Sequence, residues 1–325
     1  MADSTIDVGG FTSVAFGSTS IDEGKTLTVN VAEDQETVWT SPISGDGSLT
    51  KSGNGTLSLS REPSYNGATT VEAGTLALTE GGTLNNLSGG SLNPDGTIAQ
   101  SAVLDATGKD LTFVNSDTTK FVGSIKANNL VIDGGGTLQI YTGADGQVDV
   151  QSLTVSSGNL DVKGYMKGNI TVKSGTVFSP GNSVGEATFN GSFTLEDAAT
   201  LLIEQDATGM DKLTASSYAI DPNSILELTA EAAAPGATYA IIVQKDGDNP
   251  VNFGIVTIGG VDYDYSDVSF WNSLLTPESD YYWNLSVKNN VVYATMDANA
   301  VPEPSTWALL VLGVAGLMYW RRKNA

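Results

Sequence analysis

The sequence contains no cysteine and no histidine. Without cysteine there is neither a disulfide framework nor a thiolate metal site. Without histidine, Ser–His and Cys–His nucleophile systems and the usual zinc sites are excluded as well. Arginine is scarce, at Arg61, Arg321 and Arg322 alone. The chemistry left open belongs to carboxylates, Lys, Tyr and Ser/Thr. A continuous apolar run is missing until the last 25 residues, and no helical stripe stands out before residue 300. The start, MADSTIDVGGFTSVAFGSTS, lacks the basic and apolar regions of a secretory signal. Because the rest reads as exported, the natural start is expected to differ from Met1.

What is present is glycine, 37 residues of it, and acid. The formal charge is −22 over 325 residues, and without the last 25 the body holds 12 basic against 36 acidic side chains. Such a surface repels nucleic acid and anionic lipid heads, so neither is an expected partner. Solubility alone is the plainer meaning of that charge.

Short alternating strands dominate. Gly-Thr-Leu recurs at Gly55-Thr56-Leu57, Gly74-Thr75-Leu76, Gly82-Thr83-Leu84 and Gly136-Thr137-Leu138, with looser copies at Gly96-Thr97-Ile98 and Gly175-Thr176-Val177. Period-two hydrophobicity follows, as in Leu57 and Leu59 or Leu76 and Leu78, and Gly, Asn and Asp supply turns. The steps from Leu57 to Leu76 and from Leu138 to Leu160 are the length of a solenoid coil. One coil cannot bury its apolar side alone, whereas a stack shares an interior. The pattern predicts an all-β parallel β-helix; a β-sandwich with hairpin connections is the alternative. Residues 231–299 change character, with the bulkier TYAIIVQ, YYWNLSVKN and NVVYATM and a tight turn expected at Asn289-Asn290 between Val287 and Val291. The expected organisation is N-terminal strands over 1–44, β-helix over 45–230, a β cap over 231–299 and a sorting tail over 300–325.

The stretch GNGTLSLSREPSYNGATTVEAGTLALTEGG, residues 53–82, resembles the autotransporter-associated β-strand repeat of passenger domains. Gly53, Gly55, Thr56, Leu57, Leu59, Tyr65, Gly67, Thr69, Val71, Gly74, Thr75, Leu76 and Leu78 carry the likeness. Residues 179–217 look like the closing segment of such passengers. The resemblance implies a right-handed parallel β-helix and speaks to fold more than to activity. No series of membrane strands about ten residues long follows, so the chain is not read as an autotransporter.

The tail is VPEPSTWALLVLGVAGLMYWRRKNA. Thr306 to Trp320 is uncharged and, as a helix, about 23 Å long, short of a hydrocarbon core of about 30 Å. Thr306, Trp307, Tyr319 and Trp320 mark its ends, where aromatic rings favour the interface. Arg321, Arg322 and Lys323 are expected to stay cytoplasmic, leaving the body outside. Pro302 and Pro304 keep the upstream stretch extended. Pro302-Glu303-Pro304, apolar helix and basic cluster, in that order, resemble the PEP-CTERM sorting signal of exopolysaccharide-producing Gram-negative bacteria. That resemblance implies recognition and cutting near the motif by exosortase, a membrane cysteine-protease-like enzyme. The inner-membrane anchor, one C-terminal transmembrane sorting helix, would then be transient.

Parallel β-helices often act on polysaccharides, so carboxylate pairs were weighed. Asp105, Asp110, Asp133, Asp145, Asp149 and Asp161 lie along expected coils, and none stands out as an acid–base partner. Arg61 reads as a solvated turn residue. No cofactor is expected. Ca²⁺ is the one ion with oxygen ligands to hand, at Asp246, Asp248 and Asn249 or Asp262, Asp264 and Asp267, yet neither cluster has calcium-loop spacing. Trp271, Tyr281, Tyr282 and Trp283 could stack on sugar rings, although packing within the cap is the simpler role. The expected function is a non-enzymatic structural or adhesive protein of the surface or matrix, contacting exopolysaccharide or another matrix polymer. A polysaccharide lyase or hydrolase and a permanently anchored surface protein are the rivals.

Overall fold

A computed structural model describes residues 3–8, 13–14, 17–143, 146–181, 184–230, 237–245, 255–258, 261–264, 274–275, 281–288 and 291–298. Among them every regular element is a strand. They form a parallel β-solenoid of about ten turns, not a sandwich.

Each coil lays three strand segments on three faces. On the first face, Leu138 pairs with Leu160, Leu160 with Phe178, Phe178 with Leu201 and Leu201 with Leu226. On the second, Leu57 pairs with Leu76, Leu76 with Leu104, Leu104 with Ile125 and Ile125 with Val148. On the third, Leu111, Leu130, Leu153, Ile170, Phe193 and Tyr218 follow one another in register. The alternation in the sequence therefore becomes three stacks of like side chains, all fully buried save the half-buried Tyr218. Each such side chain removed from water stabilises the stack by roughly 1.5–3 kcal/mol. The spacings from Leu57 to Leu76 and from Leu138 to Leu160 are one coil each.

Long strands serve more than one face by bending. Asn159–Val172 pairs first with Thr137–Tyr141, then with the start of Val148–Val155, then with its end. It turns at Gly164 (φ 131°) and Gly168 (φ 121°). Near the C-terminal end the rings of Phe178, Phe189 and Phe193 fill the interior, the first edge-on to the other two with centroids 5.7 and 5.2 Å away. Tyr218 lies against Phe193 at 5.9 Å.

Parallel pairing begins with Ser4–Asp7 on Thr26–Asn30 and reaches Ile255–Ile258 on Ile225–Ala230. Beyond it the pairing turns antiparallel. Thr238–Gln244 takes Val291–Ala298, which pairs in turn with Tyr281–Lys288, so that Lys288 stands opposite Val291. Ile255–Ile258 pairs with Val261–Asp264 in the same sense.

Candidate functional site

The carboxylates of the solenoid act between coils. Asp105, Lys126, Asp149 and Lys167 occupy successive positions of one ladder, giving a column of alternating charge on the second face. Its ion pairs measure 3.5 Å for Lys126–Asp105 and 3.1 Å for Lys167–Asp149. Exposed pairs of this kind contribute at most about 1 kcal/mol each, but they fix register. Burial opposes the charge on Asp105, yet hydrogen bonds from Thr107 and Lys126 hold its carboxyl below the usual range.

Asp110 accepts from the side-chain amides of Asn128 and Asn129 and the backbone N–H of Asn129, at 2.9, 2.8 and 3.1 Å. Those bonds lower its pKa. Asp133 accepts from the Ser157 hydroxyl of the next coil and from Gly134 N–H, and is lowered for that reason. Arg61 is exposed. Asp145 lies outside the described residues.

Two ionisable groups that sequence reasoning passed over lie inside. Lys51 is fully buried in the stack between Val29 and Val71. Its Nζ donates to the carbonyls of Ser52, Gly53 and Ala73 at 2.7, 2.7 and 3.2 Å. Burial lowers its pKa to about 8. Asp211, also fully buried, accepts from Gly185 N–H at 2.7 Å, Glu204 N–H at 3.0 Å and Ser179 Oγ at 3.4 Å. Burial outweighs those bonds and, with the charge of Glu204 adding, raises its pKa to about 7. Asp161 is pushed to about 6 by burial, against a weak bond from Gln139. The parity of the strands carried a signal for two of the three. Lys51 follows Leu49 by two residues and Asp211 precedes Leu213 by two, so both occupy inward positions.

These shifts fix the sign of the pH dependence. Between the ordinary carboxyl pKa and about 6 to 7, Asp161 and Asp211 stay protonated in the fold and ionise in the unfolded chain. Stability therefore falls as pH rises through that window. Asp105, Asp110 and Asp133 act oppositely: their contribution is present above the unfolded pKa and is lost as pH falls below it. Urea unfolding is expected to show a stability maximum near pH 4 and a decline toward pH 7, with Asp161→Asn flattening the part below about pH 6. A midpoint that rises from pH 4 to pH 7 would contradict these assignments.

No group of three or more acidic side chains able to hold a metal occurs among the described residues. Asp262 and Asp264 belong to the strand Val261–Asp264 and pair with Thr257 and Ile255. Tyr282 and Trp283 stand opposite Leu275 and Leu274, and Tyr281 opposite Ala298. Asp246, Asp248, Asn249, Asp267, Trp271 and the turn at Asn289-Asn290 lie outside the described residues. So do Pro302, Glu303, Pro304, Thr306, Trp307, Tyr319, Trp320, Arg321, Arg322 and Lys323. Among the described residues no helix is long and apolar enough to cross a membrane.

The described residues define a parallel β-solenoid. Residues 300–323 match the PEP-CTERM protein-sorting motif, and residues 49–78 match the Passenger-associated-transport-repeat. The repeat match starts four residues before the stretch quoted above, at Leu49, and takes in the paired strands Thr56–Leu59 and Gly74–Leu78. The chain is also similar to the adhesin BmaC autotransporter of Brucella suis biovar 1 (strain 1330), 28% identical over 194 residues. That match takes in 59% of this chain and 5% of the adhesin. The sorting motif implies processing by exosortase, and together with the adhesin relative it indicates an exported protein of the cell envelope.

Proposed function

We propose that this protein is a non-enzymatic structural or adhesive rod, displayed in the envelope or matrix after exosortase removes its tail. The observation that carries this reading is a PEP-CTERM motif on a chain similar to an adhesin autotransporter. The hand of the coil is taken as right-handed, which parallel crossovers strongly favour. A stack whose side chains are in register from coil to coil is stiff, and it holds outward polar side chains in rows, such as Asn129, Ser152 and Asn169 or Thr154, Thr171 and Thr194. Those rows contact matrix polymer or neighbouring cells. Thr306–Trp320 lodges briefly in the inner membrane, with Arg321, Arg322 and Lys323 on the cytoplasmic side, and presents Pro302-Glu303-Pro304 at the surface.

The inter-coil partners of Asp105, Asp110, Asp133 and Asp149 favour a structural role for carboxylates that a hydrolase would need free. The test is to incubate the chain with the host's exopolysaccharide, with and without Ca²⁺, and to measure both retention of the protein and polymer length. Retention without shortening is expected. Depolymerisation would make the protein a polysaccharide-active enzyme instead.

A further inference from the structure

Four successive strand segments of the second face close on a charged side chain of alternating sign: Asp105, Lys126, Asp149 and Lys167. Each reaches solvent, the lysines exposing 45 and 53% of their side chains and the aspartates 31 and 32%. Lys126 is bonded to Asp105 and Lys167 to Asp149, yet capacity remains on both sides. An ammonium has three N–H donors, and a carboxylate has about four acceptor sites. The corner beyond the column is tight. Lys126 passes to Asn129 through Ala127-Asn128, and Lys167 passes to Asn169 through Gly168 alone, at φ 121°. The small antiparallel hairpin of Ser91–Leu92 and Ile98–Gln100 enters the face at its opposite edge, before Ala102. The column therefore runs along a ridge, flanked on the third face by Asn129, Ser152 and Asn169.

Such a column is its own complement when reversed. A second copy, turned end for end about a two-fold axis between the Lys126 and Asp149 coils, sets its Lys167 against Asp105 and its Asp149 against Lys126. Each contact then occurs twice, as an isologous interface requires. A copy running the same way in the same register would set Asp against Asp and Lys against Lys. The adjoining row agrees with the reversal: Thr75 comes opposite Thr188 and Thr56 opposite Thr214, with no like charges meeting. The axis also falls near the middle of the stack. Among the described residues six second-face segments precede it, from Ser13–Val14 to the one that holds Lys126, and five follow, as far as Thr238–Gln244. Reversal therefore overlaps almost the whole length. Segments spaced about 4.8 Å and about 13 Å long, five on either side of the axis, give roughly 600 Å² per copy. The total of about 1,200 Å² reaches the size of specific interfaces.

We propose that this ridge joins two copies of the chain into an antiparallel dimer, with Asp105, Lys126, Asp149 and Lys167 setting the register. Charge placed this way selects orientation and suppresses other registers more than it adds affinity. The dimer is independent of what the rod adheres to, so either reading can fail without the other. The 325-residue chain in nonionic detergent is examined by sedimentation at low and at high salt. A dimer that weakens as salt rises is expected. Lys126→Glu with Lys167→Glu makes the column wholly acidic and should raise the dissociation constant at least about a hundredfold. Asp105→Lys with Asp149→Lys makes it wholly basic and should do the same. Mixing the two variants should restore a one-to-one dimer, which misfolded chains could not form. Thiol cross-linking tests the direction, because the chain has no cysteine of its own. Asp105→Cys chains should link to Lys167→Cys chains and not to one another. Four results would overturn the proposal: a wild-type monomer at low salt, a dimer that both charge variants retain (as association through the apolar tail would give), a mixture of folded variants that stays monomeric, or Asp105→Cys chains that link to each other.

Discussion

Replacing Gly123 by Val is expected to destabilise the protein by at least about 3 kcal/mol and to abolish cooperative unfolding of the central coils. Gly123 makes the loopless corner of its coil, at φ 146°, a backbone region that side-chain-bearing residues rarely enter. Space is a second constraint. A Cβ there would overlap the carbonyl oxygen of Ala102 in the coil below. That oxygen cannot move aside, because Ala102–Asp105 is locked in register on Gly123–Lys126 and on Gly74–Ala77. Gly175 is the control. It too has positive φ, 74°, but nothing lies within 4 Å of an added Cβ, so Gly175→Ala should cost only about 1–2 kcal/mol. Urea unfolding of the two variants decides the matter. A Gly123→Val protein as stable as Gly175→Ala would mean that the coils do not stack as described.

The second large effect concerns the tail. Replacing Glu303 by Ala, or Pro302 and Pro304 together by Ala, is expected to cut the yield of released protein at least tenfold and to leave the chain associated with membranes. The physical reason lies in the order of the elements. On the proposed reading, two prolines would keep the motif extended, where a protease could grip it, and would block an apolar helix from continuing backward through it. Alanine permits that continuation. Reversing the charge of Arg321, Arg322 and Lys323 should act differently, by weakening the orientation of the proposed membrane segment before cutting. Fractionation of cells expressing each variant, probed with an antibody to the solenoid, checks these expectations. Normal release of the Glu303→Ala and double-proline variants would separate processing from the motif.

Much of the fold was legible because stacking repeats one physical requirement in every coil. Leu57, Leu76, Leu138 and Leu160 stand at inward positions after a turn-forming Gly, and a solenoid demands that recurrence. Two features were less legible, each for its own reason. The division of a coil among three faces depends on where Asn159–Val172 bends, and the same alternation would serve a two-faced stack. Lys51 and Asp211 had only the parity signal in their favour, against the expectation that charge stays outside, since the cost of burial is met by carbonyls and N–H groups that only the folded corners bring together. The carboxylates considered for catalysis were visible as residues, but their partners, Lys126, Asn128, Ser157 and Lys167, lie one coil away and follow from register.

The intact mass of the mature protein recovered from outside the cell bears most directly on the account as a whole. A rod delivered by a temporary membrane foothold predicts a C-terminus near Pro302-Glu303-Pro304, with Thr306–Trp320 and the basic cluster gone. A mass that includes Arg321, Arg322, Lys323 and the final Ala325 would contradict it.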